Sequence, residues 1–409
     1  VESASTTSLP TTTGGSTTTT TEELPVVSIT QLPTDTFPEG SRLSAVTRFD
    51  GLLVAVGTTH EEYVTDAAIW TSTDGATWTQ IEDDDFVGDG HQVMLDVASG
   101  ANGVVAVGSE GRPDDYDAAV WHSSDGAAWD AIGAETLGGS GEQIIWAIEA
   151  HDERLVAVGE AGGSPAVWAS DDGTTWVRAA IDGLVDGGDA GAMYAITAGV
   201  PGLVAVGSTG LDPHPSIWVS PDGSWWTRLA GELDALGAGV DAADTTPGRF
   251  TAVTPGPDGL VAIAATAQFD WLTFARPEVW ISPDGLSWTR QEATFLDTPT
   301  GTYATVTDVL WTSAGFIAIG GYAPTQPGGW TPGTHAFRLS RDGGTNWRIV
   351  GGPETAVWNS PPLAQGLRGI PFGDSILVVG GHAVPTDEVV NGYTQWIDVG
   401  SVWLVDIEE

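Results

Sequence analysis

Trp271, Trp330, Trp358, Tyr393 and Trp396 lie in irregular stretches such as "ATAQFDWLTFARPE" and "GYAPTQPGGWTPGTH". Aromatic faces on irregular loops stack on sugar rings or anchor a protein partner, and they also fill space where long loops fold back. Carboxylates crowd another stretch, "EDDDFVGDG", where Asp83, Asp84, Asp85 and Asp89 could offer oxygen ligands to Ca²⁺. The D-x-D-x-D-G spacing of a calcium loop with its distant glutamate is missing, and acidic residues are so common here that chance clustering competes. The histidines are scattered with no H-E-x-x-H pair, and neither a P-loop nor a G-x-S-x-G elbow before a helix occurs. Nothing in these residues calls for a cofactor other than, at most, Ca²⁺.

Composition narrows the field. The chain has 409 residues, no cysteine, 55 acidic and 13 basic residues, and a formal charge of −42. Every basic residue is arginine. Such a balance argues against nucleic acid, whose phosphates demand basic patches, and against anionic membrane surfaces; it favours solubility and cationic partners. Without cysteine there are no disulfides, thiolate zinc sites or cysteine nucleophiles. No apolar run is long enough to span a bilayer. Residues 1–24, "VESASTTSLPTTTGGSTTTTTEEL", are almost pure Thr, Ser and Gly and are expected to be a disordered linker. A Thr-rich tether of this kind suggests an exported protein, secreted or held at the cell surface through that linker.

The remainder, residues 25–409, is a repeat. "LVAVG" at Leu53, "VVAVG" at Val104, "LVAVG" at Leu155 and Leu203, "LVAIA" at Leu260, "FIAIG" at Phe316 and "ILVVGG" at Ile376 recur at spacings of 51, 51, 48, 57, 56 and 60 residues. Each is a short β-branched run bounded by turn residues, which reads as a strand buried on both faces. An apolar segment precedes it across a tight turn, as in "RLSAV" or "RFTAV". A Trp-ending strand such as "AAIW" follows, then an Asp-Gly turn and a last strand. Four antiparallel strands in about 50 residues cannot bury both faces alone, so the units must stack. Radial stacking leaves no long exposed edges, and the expected fold is therefore all-β: a seven-bladed β-propeller of four-stranded antiparallel blades. The seventh unit lacks a fourth strand, and the orphan "LPVVSITQL" from Leu24 is placed to supply it.

The Asp-Gly turns carry a signature of their own. Ser340–Trp347, "SRDGGTNW", matches S-x-D-x-G-x-x-W, and shorter S-x-D-G-x-x-W copies begin at Ser72, Ser123, Ser170, Ser220 and Ser282. In this the chain resembles the Asp-box, or BNR-repeat, family of sialidase-like propellers, over six of the seven units. The resemblance implies that the box forms the turn between third and fourth strands. Asp74, Asp125, Asp172, Asp222, Asp284 and Asp342 are then structural, holding turn N–H groups while glycine supplies positive φ. Sialidases of this kind hold a substrate carboxylate with three arginines, and Arg42, Arg249 and Arg368 each begin an inner strand. Tyr194 and Tyr303 also start inner strands, but no Tyr–Glu nucleophile pair or acid aspartate can be assigned.

Strand alternation sends the short turns and the boxes to one face and the long irregular loops to the other, so function belongs on the long-loop face. Without a complete catalytic set, the sequence leads to a monomeric, non-catalytic binding or scaffold module for an extracellular protein or glycan. Its ligand contacts would be Trp271, Trp330, Tyr393, Trp396 and the three arginines. The alternative is a glycoside hydrolase of the sialidase type.

Overall fold

The computed structural model describes residues 26–33, 36–61, 64–88, 90–113, 115–132, 137, 141–182, 190–211, 213–229, 248–265, 277–291, 294–296, 302–324, 333–351, 357–358, 367–390 and 393–408. They form seven antiparallel sheets, each a blade with the strand order of a meander. The innermost strands are Arg42–Phe49, His91–Gly100, Gln143–His151, Gly191–Gly199, Arg249–Gly256, Thr302–Thr312 and Arg368–Phe372. Each packs on the inner strand of the next blade, and that of blade seven on that of blade one, which closes the ring around a channel. Among the described residues no helix is long and apolar enough to cross a membrane.

The "LVAVG" runs are apolar throughout because each face meets a different neighbour. Val104 and Ala106 pack against blade one, with Val54 and Ile69, while Val105 and Val107 pack against blade three, with Ile145 and Trp168. Seven such apolar layers lie between the blades. The third-strand tryptophans Trp70, Trp121, Trp168, Trp218, Trp280 and Trp403 are buried in them. Blade six departs from the pattern, with Arg338 in the place of that tryptophan. It is fully buried and donates to the Gly321 carbonyl at 3.3 Å, and burial pushes its pKa down to about 10.

The ring is zipped by its ends. Val26–Gln31 pairs antiparallel with the last strand, Val26 opposite Glu408 and Gln31 opposite Trp403, and so becomes the outer strand of blade seven. Ile29 packs on the layer between blades six and seven. Blades four and six add what the repeat does not show, an outer parallel strand from the preceding connection: Ala180–Asp182 beside Trp225–Arg228, and Thr294–Leu296 beside Asn346–Gly351.

The Asp-Gly turns are local hydrogen-bond cages. Ser72 Oγ accepts from Gly75 N at 2.9 Å, and Asp74 Oδ1 accepts from Ala76 N at 2.8 Å and Thr77 N at 2.7 Å. The same pattern recurs at Asp125, Asp172 and Asp284. Asp222 accepts from Ser224 N, and Asp342 from Thr345 N and Asn346 N. The turn glycine must be glycine for two reasons at Gly223. Its φ is +80°, and a Cβ there would lie 2.5 Å from Val156 Cγ2 of the preceding blade. Each turn is thus a peg between blades as well as a hairpin. Indole N–H groups of Trp78, Trp176, Trp226, Trp288 and Trp347 donate to the turn-glycine carbonyls at 2.7–3.1 Å.

Candidate active site at the long-loop end of the channel

Inner strands start at the long-loop face, and a shared irregularity decides what they show there. Six of them carry a β-bulge, an extra residue left unpaired against the second strand; the extra residues are Ser44, Leu95, Trp146, Tyr194, Thr251 and Thr307. In five of the six a glycine stands opposite the residue before the bulge. At Gly57, Gly108, Gly159, Gly207 and Gly320 a Cβ would stand 1.8–2.1 Å from an inner-strand carbonyl oxygen. The last glycine of "LVAVG" is therefore where two backbones approach closely. Blade five has Ala264 at that register and keeps its bulge.

In blades three and four the bulge residues are aromatic, half-exposed and adjacent. The rings of Trp146 and Tyr194 lie 5.7 Å apart at 58°. The Arg249 guanidinium, from the top of blade five, sits 4.5 Å over the Tyr194 ring. Glu160, near the end of blade three's second strand and opposite Ile144, completes the group. Burial pushes its carboxyl pKa up, and the neighbouring charge of Glu142 adds to the rise; the Trp146 indole and Arg249 offset part of it. Trp146 Nε1 is buried and makes no hydrogen bond of normal geometry. It is near enough to act on the carboxylate but is not committed to it. Glu142 itself is exposed.

Deeper in the channel lies a second charged group. Asp96 of blade two and Asp308 of blade six occupy one register, opposite Val107 and Ile319, where Ala45, Ala147, Ala195 and Ala252 stand in other blades. Arg368 holds that register in blade seven, opposite Val379. Asp96 Oδ2 accepts from Ile148 N and Asp308 Oδ2 from Gly369 N, both at 3.0 Å, so each carboxylate staples its blade to the next. Arg368 Nη1 is 3.5 Å from Asp308 Oδ1. Burial raises both aspartates, with Arg368 opposing the rise in each. Glu149, two residues beyond Ala147, is raised from 4.5 to about 7 by burial and then by the charge of Asp96.

The three arginines of the sequence reading have separate partners: Arg42 pairs with Asp398, Arg249 with Tyr194, and Arg368 with Asp308. Trp271 and Trp330 lie outside the described residues, and the Tyr393, Trp396, Trp358 and Tyr303 side chains do too. Asp83 Oδ1 accepts from Asp85 N at 3.1 Å, and Asp85 Oδ2 from Ala131 N at 3.1 Å, so these carboxylates serve a turn and a neighbouring strand. Asp89 is outside the described residues. Among the described residues no three His, Asp or Glu side chains come together to hold a metal ion.

Sequence reasoning missed Trp146, Glu160, Asp96, Glu149 and Asp308. The available signal was a departure from the repeat: aligning the units puts Asp96 and Asp308 against four alanines, and Trp146 and Tyr194 against small or aliphatic residues.

No family model matches the chain, and no curated protein does. Solved structures share its propeller form. An α-L-arabinanase of Penicillium chrysogenum, complexed with arabinobiose, is 15% identical with a TM-score of 0.43, the match covering 92% of this chain and 96% of that one. An α-L-arabinofuranosidase of Fusarium graminearum is 14% identical with a TM-score of 0.45, covering 92% and 96%. An ancestral GH74 enzyme is 13% identical with a TM-score of 0.47, covering 89% of this chain and 49% of that one. At these identities the likeness is one of fold.

The expectation of a non-catalytic module, and of no enzyme, is corrected here. The structures that share the fold are named as glycoside hydrolases. The ground for that expectation was the lack of an assignable acid, and the sequence reading had not weighed every carboxyl at the long-loop face. Glu160 lies half-buried with a raised pKa beside an aromatic pair, on the second strand, where the sequence reading did not look.

Proposed function

We propose that this chain is a glycoside hydrolase acting at the long-loop end of the channel, with Glu160 as general acid. The observation that carries the reading is the raised, half-buried Glu160 carboxyl beside Trp146, Tyr194 and Arg249, with the exposed Glu142 as a second carboxylate. Glycosidic cleavage needs one carboxyl that keeps its proton and a second that does not, set apart by environment. Burial keeps the proton on Glu160, which delivers it to the leaving-group oxygen. Glu142, facing solvent, supplies the other carboxylate. The Trp146 and Tyr194 rings offer apolar faces for a pyranose or furanose, and Arg249 holds Tyr194 in place from behind.

Turnover of a panel of aryl glycosides and plant and microbial polysaccharides tests the assignment. Glu160→Gln should lower turnover at least about 100-fold, the size of a lost general acid, with a melting temperature no lower than that of the wild type. Wild-type activity should fall as pH rises through the elevated Glu160 pKa, because the protonated form is the working one. A Glu160→Gln variant as active as wild type, with the same alkaline limb, would refute it. We further propose that the turns are of the Asp-box kind in origin, and that the protein works outside the cell, where polymeric substrates lie.

A further inference from the structure

The same site also bears on which sugars it admits. Among the described residues the inner strands carry four arginines, Arg42, Arg48, Arg249 and Arg368. Arg48 lies toward the opposite end, 4.6 Å over the Phe372 ring. Each of the other three is already engaged by a neighbour. Arg42 is ion-paired with Asp398, with side chains only 16% and 28% exposed. Arg368 lies against Asp308 and acts on Asp96. Arg249 sits over Tyr194 and acts on Glu160. Around them stand the carboxyl groups of Asp398, Asp308 and Asp96, in a chain of formal charge −42.

Recognition of a sugar carboxylate requires an arginine fork that is free to turn toward it. Here a uronate or sialate would have to draw an arginine from a partly desolvated partner and bring a further negative charge into an acidic channel. Sugar hydroxyls face no such conflict, because they donate to carboxylates, while the C–H face of the ring lies on an aromatic side chain. We infer that the glycan taken at this mouth is uncharged, and that the engagement of its arginines by carboxylates and by the Tyr194 ring excludes acidic sugars. This rests on the hydrolase reading for the place of the site but not for its test, which is binding.

Calorimetric titration of the full chain with neutral arabino-, xylo- and gluco-oligosaccharides, and with oligogalacturonides and sialyllactose, decides it. At least one neutral series should bind, with both acidic ligands weaker by about 100-fold or more, the scale on which a partly buried ion pair resists disruption. Asp398→Asn takes a negative partner from Arg42 and should narrow that ratio at least tenfold for the acidic ligands, leaving neutral binding in place. Acidic ligands binding as tightly as neutral ones, or neither class binding, overturns the inference. Neutral binding without cleavage would leave it standing and sink the hydrolase reading instead.

Discussion

Glu149→Gln should make the protein more stable, and only above a certain pH. In the folded chain burial and the charge of Asp96 raise the Glu149 carboxyl from 4.5 to about 7. Between those values the native state binds a proton that the unfolded chain has released, so stability falls as pH rises through the window and levels off above it. At about 1.4 kcal/mol per pH unit, full ionisation at pH 8 costs the wild type about 3 kcal/mol. Glutamine keeps the shape, and its amide oxygen can still accept from Ala150 N, which bonds the glutamate, but it has nothing to ionise. With an unfolding entropy of about 2 cal/mol/K per residue, a propeller of this size shifts its Tm by roughly 1 °C per kcal/mol, hence by about 3–4 °C here. Melting curves of both proteins from pH 4 to pH 8.5 are the assay. They should coincide at the acid end, separate between about pH 4.5 and 7, and run parallel beyond. Curves that stay superimposed at pH 8, or a variant less stable there, would refute the reasoning. Hydrolysis should survive the substitution; its loss, with Glu160→Gln still active, would move the acid to Glu149.

The turn aspartates work with the opposite sign. Backbone N–H groups of Thr77 and Ala76 hold Asp74 below 3.8, as those of Ala128 and Ala127 hold Asp125 and those of Ser287 and Leu286 hold Asp284. The stability they give is complete above pH 3.8 and is lost as pH falls below it. Asp284→Asn should therefore flatten the acid limb of a urea-unfolding series, and an unchanged limb would count against the cage. Removing Val26–Leu32 should lower stability by about 3 kcal/mol or more, from lost ladder bonds and the exposure of Ile29, whereas removing residues 1–24 should leave it unchanged. Equal denaturation midpoints for the two truncations would contradict closure by that strand.

The fold could be read from the sequence because every blade solves the same burial problem with the same residues. "LVAVG" faces two neighbours, the tryptophan after the Asp-Gly turn caps it, and the unmatched "LPVVSITQL" has one vacancy to fill. The site was hidden because it depends on a feature that alternation does not express. A period of two assigns each inner-strand residue to one blade surface or the other, and an inserted bulge residue belongs to neither. Trp146 and Tyr194 occupy such positions, on separate blades 48 residues apart, and meet only when the two blades stack. Glu160 was passed over for a different reason. It follows directly on the strand's glycine, where the units change from shared core to individual loops, and only its neighbours in space reveal its burial.

Seven identical blades would enclose a channel in which every carboxylate had the same surroundings, and no proton could be kept on one and withheld from another. Departure from the repeat is what the proposed acid–base chemistry requires. The departures fall into two arcs. Blades three to five bring the aromatic pair, Glu160 and Arg249 to the mouth. Blades two, six and seven place Asp96, Asp308 and Arg368 at the register where other blades have alanine. Asp96 connects the arcs directly, because its carboxylate fixes Ile148 N, two residues after Trp146 on the same strand. A group in the channel thereby fixes the backbone that carries the aromatic pair. A side-chain hydrogen bond across blades in a closed ring holds that strand better than alanine could, and rigid placement of the side chains is what the proposed proton transfer requires.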